Sequence, residues 1–148
     1  MNADIRHLRA GDAHLLDHVA PEVFDDPIAP ASLRRFLAAP DHHLFVALED
    51  GLIVGFVSAM HYDHPDKRTP ELWLNEIGVA PSHQGQGIGG ALLDAVLAHG
   101  RRLGCGDAWV LTDRTNDIAM RLYASRTKEP LRDAVMFTFP LADSAGDD

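Results

Sequence analysis

Apolar and polar positions follow two different periods along this chain, and each change of period marks an element. Residues 5–8 read as a short first strand. Gly11-Asp12 then opens segment 13–19, in which Leu15, Leu16 and Val19 recur at helical spacing. Asp25-Asp26-Pro27-Ile28-Ala29-Pro30 is turn chemistry, because each proline disfavours helix in the residue before it. Residues 32–39 predict a second short helix with Leu33, Phe36 and Leu37 on one side. Two β-rich runs follow, 43–48 (HLFVAL) and 52–62 (LIVGFVSAMHY), joined by Glu49-Asp50-Gly51. Asp-Gly between two such runs is a hairpin signal, since a tight two-residue turn needs positive φ at both positions. After a charged loop at 63–70, residues 71–79 (ELWLNEIGV) form a further strand, closed by Ala80-Pro81.

A glycine-rich turn leads into a helix over 87–103, whose Ile88, Leu92, Leu93, Val96, Leu97 and Leu103 share a stripe. Gly104-Cys105-Gly106 ends it. A strand at 108–112, a helix at 116–125 and a last strand at 135–141 (VMFTFPL) complete the reading. The order is α+β: an antiparallel meander, then a strand-loop-helix-strand unit. No internal repeat is visible.

The chain has 148 residues, which fits one domain over 1–141 followed by a small-and-acidic, disordered tail at 142–148. A formal charge of −9 disfavours nucleic acid and suits a cationic partner. One cysteine, Cys105, excludes an internal disulfide and fits a reducing, cytoplasmic setting; between two glycines it reads as a small turn residue. The start, MNADIRHLRAGD, lacks a signal pattern, and no apolar run approaches the roughly 20 residues a membrane span needs, so no membrane partner is expected. Nine histidines raise the question of a metal, but His42-His43 and His61-x-x-His64 lack a third ligand, so none is expected.

The densest chemistry lies in His83-Gln84-Gly85-Gln86-Gly87-Ile88-Gly89-Gly90. Glycines between a strand and a helix let the backbone turn tightly and approach a ligand. The unpaired N–H groups of the helix's first turn, with the helix dipole, then favour an anion, most naturally a phosphate. Gly85, Gly87 and Gly90 satisfy G-x-G-x-x-G, yet the dinucleotide reading fails on context. The preceding strand follows an antiparallel hairpin, and about 60 residues remain, too few for paired βαβαβ halves. Its acidic ribose ligand would have to be Asp107 or Asp113, and neither sits well. The Walker lysine is absent, which excludes a nucleoside-triphosphate loop.

The run Val79-Ala80-Pro81-Ser82-His83-Gln84-Gly85-Gln86-Gly87-Ile88-Gly89 resembles the signature of the GNAT superfamily of acyl-CoA-dependent N-acyltransferases. Asn116-Asp117-Ile118-Ala119-Met120-Arg121-Leu122-Tyr123 matches that family's second signature, and the likeness covers residues 4–141. It implies a mostly antiparallel mixed sheet flanked by helices. It also implies acetyl-CoA as acyl donor, its pyrophosphate on the amides of Gln84, Gly85, Gln86, Gly87, Ile88 and Gly89. The pantetheine arm would pair with the backbone of Ile77, Gly78 and Val79, where the strand splays from its neighbour at a bulge. Asn116, as a residue type a good helix N-cap, is expected to bond the pantetheine amides, and Tyr123 occupies the family's usual general-acid position or is a core tyrosine packing beneath the cofactor. One departure stands out: the family's glycine and aromatic after the Leu-Tyr pair are replaced by Ala124-Ser125-Arg126-Thr127-Lys128.

A base must take the amine's proton. On a strand Leu72, Leu74 and Glu76 share one face, which would set Glu76 among apolar neighbours close to the thioester and raise its pKa. His61, Asp63 or His64 can serve instead, and Glu76 can equally be a strand-edge ion-pair residue. Segments 32–37, 71–79 and 135–139 resemble the aminoglycoside 3-N-acetyltransferases, so Asp25, Asp26, Asp63, Asp66 and Glu71 are expected to line a pocket for a small cationic amine. Two alternatives stay open: acetylation of protein N-termini or lysines, and an acyl-CoA-sensing module without catalysis. Trp73 and 135–139 can form a homodimer edge or belong to the core.

Overall fold

The structure, a computed structural model, describes residues 2–142. Five strands form one sheet in the order β1 (Asp4–His7), β2 (His42–Glu49), β3 (Leu52–Tyr62), β4 (Glu71–Val79) and β5 (Asp107–Val110). Neighbours are antiparallel except β4 and β5, which are parallel and joined through helix α2 (Ile88–Arg102). Helix α1 (Pro30–Ala38) precedes β2, and α3 (Asp117–Ala124) follows β5. Among the described residues no helix is long and apolar enough to cross a membrane.

The hairpin lies where Asp50-Gly51 predicts it, with φ of 51° and 80° at the two turn residues. β2 and β3 are buried along nearly their whole length because both sheet faces are covered. α2 lies across one face, setting Ile88, Leu92 and Val96 against Gly55, Val57 and Leu72, while α1 and a 3₁₀ turn at Ala13–Asp17 cover the other. That 3₁₀ turn is shorter than the helical segment expected over 13–19. Its chain is taken up instead by a bridge between Val19 and Ile53, with Ala20 N–H donating to Ile53 O at 2.8 Å.

The expected strand at 135–141 does not form. Val135, Met136, Phe137, Phe139 and Leu141 are between 77 and 94% exposed, and the segment has no ladder. Its alternation and β-propensity are real, but a strand needs a neighbouring edge, and among the described residues nothing pairs with the far side of β5. Trp73 stacks on Trp109 at 5.6 Å on the sheet face away from α2, so it is part of the sheet's own packing. The expected tail at 142–148 lies, from residue 143 onward, outside the described residues.

Gly78 is the tightest point of the α1-side face. A Cβ there would run into the carbonyl of Val23 and meet Phe56 Cε1 at 2.7 Å. Gly78→Ala is therefore expected to lower stability by about 1–3 kcal/mol, as overpacking does, and a urea midpoint equal to wild type would contradict this packing.

Candidate active site

Two interruptions of regular structure make the site. The first is in β4. Ala59 pairs with Leu74 and Ser58 with Glu76, so Asn75 is an extra residue with no partner on β3. Leu72 and Leu74 face α2, but past the bulge the alternation is reset. Glu76 now shares a face with Gly78, Ser58 and Phe56, opposite to α2. This corrects the expectation that Leu72, Leu74 and Glu76 line one face: one inserted residue turns every later side chain over. β5 pairs with β4 only over Glu71 to Leu74, so the β5-side edge of Asn75–Val79 carries no neighbouring strand.

The second interruption is the turn after β4. Pro81–His83 form a 3₁₀ turn, Gln84 is extended, and Gly85 and Gly87 take φ of 79° and 83°. Gly87 is the N-cap of α2 in the left-handed region, with no side-chain cap, and no acidic residue lies in the first turn. The first intrahelical bond runs from Ala91 N–H to Gly87 O at 3.0 Å, which leaves the N–H groups of Ile88, Gly89 and Gly90 without helical acceptors. Gln84 to Gly87 are exposed. Gln84 Nε2 donates to Val79 O at 3.4 Å, and His83 Nε2 lies 3.2 Å from Glu49 of the hairpin. The result is a rigidly held, uncapped helix start beside an open strand edge. It fits the diphosphate of a coenzyme thioester: bare amides, positive dipole, no Cβ in the way.

Around this point the predicted residues divide. α3 packs beside the turn, Leu122 Cδ2 lying 3.5 Å from where a Cβ on Gly89 would be. Tyr123 is half-buried against the core, and burial pushes its phenol pKa up, so it stays protonated. Asn116 caps α3, its Oδ1 accepting from Ala119 N–H at 3.1 Å, which leaves its amide N–H groups free to donate. Glu76 is an exposed position of β4, not one enclosed by apolar neighbours as expected; partial desolvation and the charges of Asp25 and Asp26 push its pKa up from the ordinary carboxylate value. Asp25 and Asp26 line an open cavity of about 370 Å³ with Val19, Glu22, Phe24 and Ile28.

The other candidate bases lie elsewhere. His61 pairs with Leu72 at the far end of β4 and bonds His43 on the α2 face, 2.7 Å away. His64 Nε2 lies 2.8 Å from Glu71 Oε2, Tyr62 donates to the same oxygen at 3.0 Å, and Trp109 Nε1 donates to the Tyr62 hydroxyl at 2.6 Å. These bonds hold the Glu71 carboxyl below its ordinary range. Glu71 is thus engaged in a network of its own. Burial raises the Cys105 thiol, consistent with a plain turn residue.

The missing helix-capping glycine is replaced by a side-chain clamp. α3 ends at Ala124 with Ser125 still right-handed, and Arg126 reaches back to Asp94 of α2, Nε to Oδ1 at 3.0 Å and Nη2 to Oδ2 at 3.3 Å. The guanidinium lies over Gly90, where a Cβ would meet Nη2 at 2.5 Å.

A mixed sheet whose fourth strand runs on past its parallel neighbour into an uncapped, glycine-started helix matches what the resemblance to acyl-CoA-using transferases implies. Residues 12–126 match the acetyltransferase (GNAT) family, and the chain belongs to it. It is 37% identical over 123 residues to the N-alpha-acetyltransferase RimI of Mycobacterium tuberculosis, covering 80% of this chain and 73% of that protein. Its fold is shared with an aminoglycoside acetyltransferase from an uncultured soil metagenomic sample, solved in complex with sisomicin. There the TM-score is 0.80 at 21% identity, covering 95% of this chain and 97% of that one. It is shared too with a ribosomal-protein-alanine N-acetyltransferase from Brucella melitensis, with TM-score 0.72, 22% identity, and 93% and 99% covered. The chain is an acyl-CoA-dependent N-acetyltransferase.

Asn116→Ala removes the side-chain N-cap of α3 and is expected to cost about 1 kcal/mol of stability. Thermal and urea unfolding check it; Asn116→Asp, which keeps the acceptor, is expected to restore most of the loss.

Proposed function

We propose that the chain transfers acetyl from acetyl-CoA to a primary amine of a small cationic molecule, by direct attack in a ternary complex. The observation that carries this reading is that Glu76 stands on the sheet face opposite α2, next to the unpaired edge of β4, where Val23 and Phe24 pack on Gly78 and Phe56 and bring the charges of Asp25 and Asp26 to bear on it. Three carboxylates around one approach attract an ammonium group, and the one with the raised pKa is the one suited to take its proton.

In this reading the amides of Gln84, Gly85, Gln86, Gly87, Ile88 and Gly89 hold the pyrophosphate. The backbone of Ile77, Gly78 and Val79 aligns the pantetheine arm, aided by the free amide of Asn116. Glu76 accepts the proton of the amine as its lone pair attacks the thioester carbonyl. A backbone N–H near Val79 stabilises the oxyanion, and on collapse the C–S bond breaks while Tyr123 donates its phenolic proton to the leaving thiolate. Solvent then reprotonates the phenol.

An aminoglycoside satisfies the charge requirement with several amines at once. The second reading, a peptide N-terminus, is favoured by the 37% identity to an N-alpha-acetyltransferase. Thiol release measured with an aminoglycoside, a polyamine and an alanine-starting peptide separates them. Turnover of the peptide alone would remove the small-cation reading.

Glu76→Gln is expected to lower kcat by about 10²–10⁴-fold, the range for a lost general base. The pH dependence has a definite sign. Partial desolvation and the charges of the two aspartates favour the protonated form of Glu76, so the acid limb of kcat/KM is shifted up from where an ordinary carboxylate would put it. Asp25→Asn and Asp26→Asn remove negative charge, lower the Glu76 pKa and move that limb to lower pH, while raising KM for a cationic acceptor. A pH profile left unmoved by both substitutions would exclude Glu76 as the base.

Calorimetry with acetyl-CoA tests the donor half separately. Gly87→Val places a β-branched residue at φ 83° and is expected to weaken binding at least about 10-fold, whereas Glu76→Gln leaves it unchanged.

A further inference from the structure

Three histidines far apart in sequence converge on the α2 face of the sheet: His7 from β1, His43 from β2 and His99 from the last turn of α2. One ligand nitrogen from each lies within 4.8 Å of the other two. His43 is only 4% exposed, and His7 and His99 are half-buried. Among the described residues, the side-chain hydrogen bonds of His43, His61 and His99 are made only to one another, and His7 makes none. We infer that His7, His43 and His99 form a site for a late first-row divalent transition metal, such as zinc, with His61 as the residue that orients His43.

The distances suit that chemistry. His43 Nδ1 and His99 Nε2 are 3.3 Å apart. Two nitrogens on a tetrahedral ion with bonds of about 2.0–2.1 Å stand about 3.3 Å apart, so the pair already holds that spacing. A metal on His43 Nδ1 leaves its Nε2–H to donate to His61 Nδ1, 2.7 Å away, which is the outer hydrogen bond that fixes the tautomer of a ligating histidine. His7 is stacked on Phe45 at a centroid distance of 4.4 Å and lies 4.6 Å from the ring of His99, so a modest ring rotation completes a three-nitrogen face. The partial exposure of His7 and His99 leaves the fourth position to water.

The surroundings decide the class of ion. Among the described residues the ligand atoms that converge here are all imidazole nitrogens, with no carboxylate among them. A hard cation that depends on charged oxygen ligands, such as magnesium or calcium, has nothing here to bind. Neutral imidazoles select zinc, copper, nickel or cobalt by donor strength. His99 lies eleven residues along α2 from Ile88, about 16 Å at 1.5 Å per residue. The ion would therefore be remote from the cofactor turn and would cross-link β1, β2 and the end of α2.

The test uses the full chain without a histidine tag, stripped with EDTA and titrated with zinc chloride and, separately, cobalt chloride. The expected result is one saturable equivalent, a higher Tm when loaded, and the visible ligand-field bands of four-coordinate cobalt. His7→Gln and His99→Gln, both at half-exposed positions and checked for folding by circular dichroism, are expected to lose saturation. His61→Ala keeps the cobalt bands but binds about 10–100-fold more weakly, and His14→Gln on the surface binds as wild type. Absence of saturable binding at millimolar metal would overturn the site and leave a neutral hydrogen-bonded imidazole chain. Equal binding by wild type, His7→Gln and His99→Gln would overturn it as well.

Discussion

A helix that begins without a cap is held in place by the burial of one face and not by hydrogen bonds in its first turn, and that constraint organises this molecule. The amides of Ile88, Gly89 and Gly90 have no helical acceptors and Gly87 offers no side chain. Such a start stays ordered because Ile88, Leu92 and Val96 are wholly buried against the sheet a few residues further on. Apolar burial along one stripe fixes where the bare amides point. The same burial sets α2 beside β4 just where β5 has ended. The open strand edge and the open helix end are two consequences of one packing arrangement.

β4 shows how local chemistry assigns different work to like residues. Glu71 and Glu76 are five apart, an odd spacing that on a regular strand puts them on opposite faces. The extra residue Asn75 brings them to the same face. Their pKa values are nevertheless driven in opposite directions. Glu71 receives hydrogen bonds from His64 and Tyr62, which favour its anion. Glu76 is partly desolvated and feels the negative charge of Asp25 and Asp26, which favours its acid form. A carboxylate satisfied by donors is a structural group; one crowded by other carboxylates is poised to take up a proton.

What could be read in the chain follows from the range of the signals. The Asp50-Gly51 turn, the amphipathic stripe of α2, the glycines before it and the Asn116 cap are encoded within a few residues of where they act, and each lies where the sequence puts it. The face of Glu76 was not legible, because a bulge leaves no compositional mark and yet reverses a period of two. The His7–His43–His99 cluster was hidden for another reason: its members are 36 and 56 residues apart and meet only once β1, β2 and α2 are packed together. Segment 135–141 carries a strand's alternation, but alternation states a preference and a sheet edge is what fulfils it.

The departure from the family pattern after Tyr123 tests how much of a motif is physical necessity. A glycine at a helix end supplies a left-handed residue that frees the chain to turn away. Here Ser125 stays right-handed, its hydroxyl donates to Leu122 O at 2.6 Å, and Arg126 grips Asp94 through two nitrogens. The tie runs to α2 itself, and its guanidinium fills the space above Gly90. The lost cap is thus exchanged for a cross-link between the two helices beside the glycine turn, keeping Leu122 against Gly89 and Tyr123 against the core. What the fold requires at this position is that α3 be fixed relative to the start of α2, and a glycine turn is only one way of meeting that requirement.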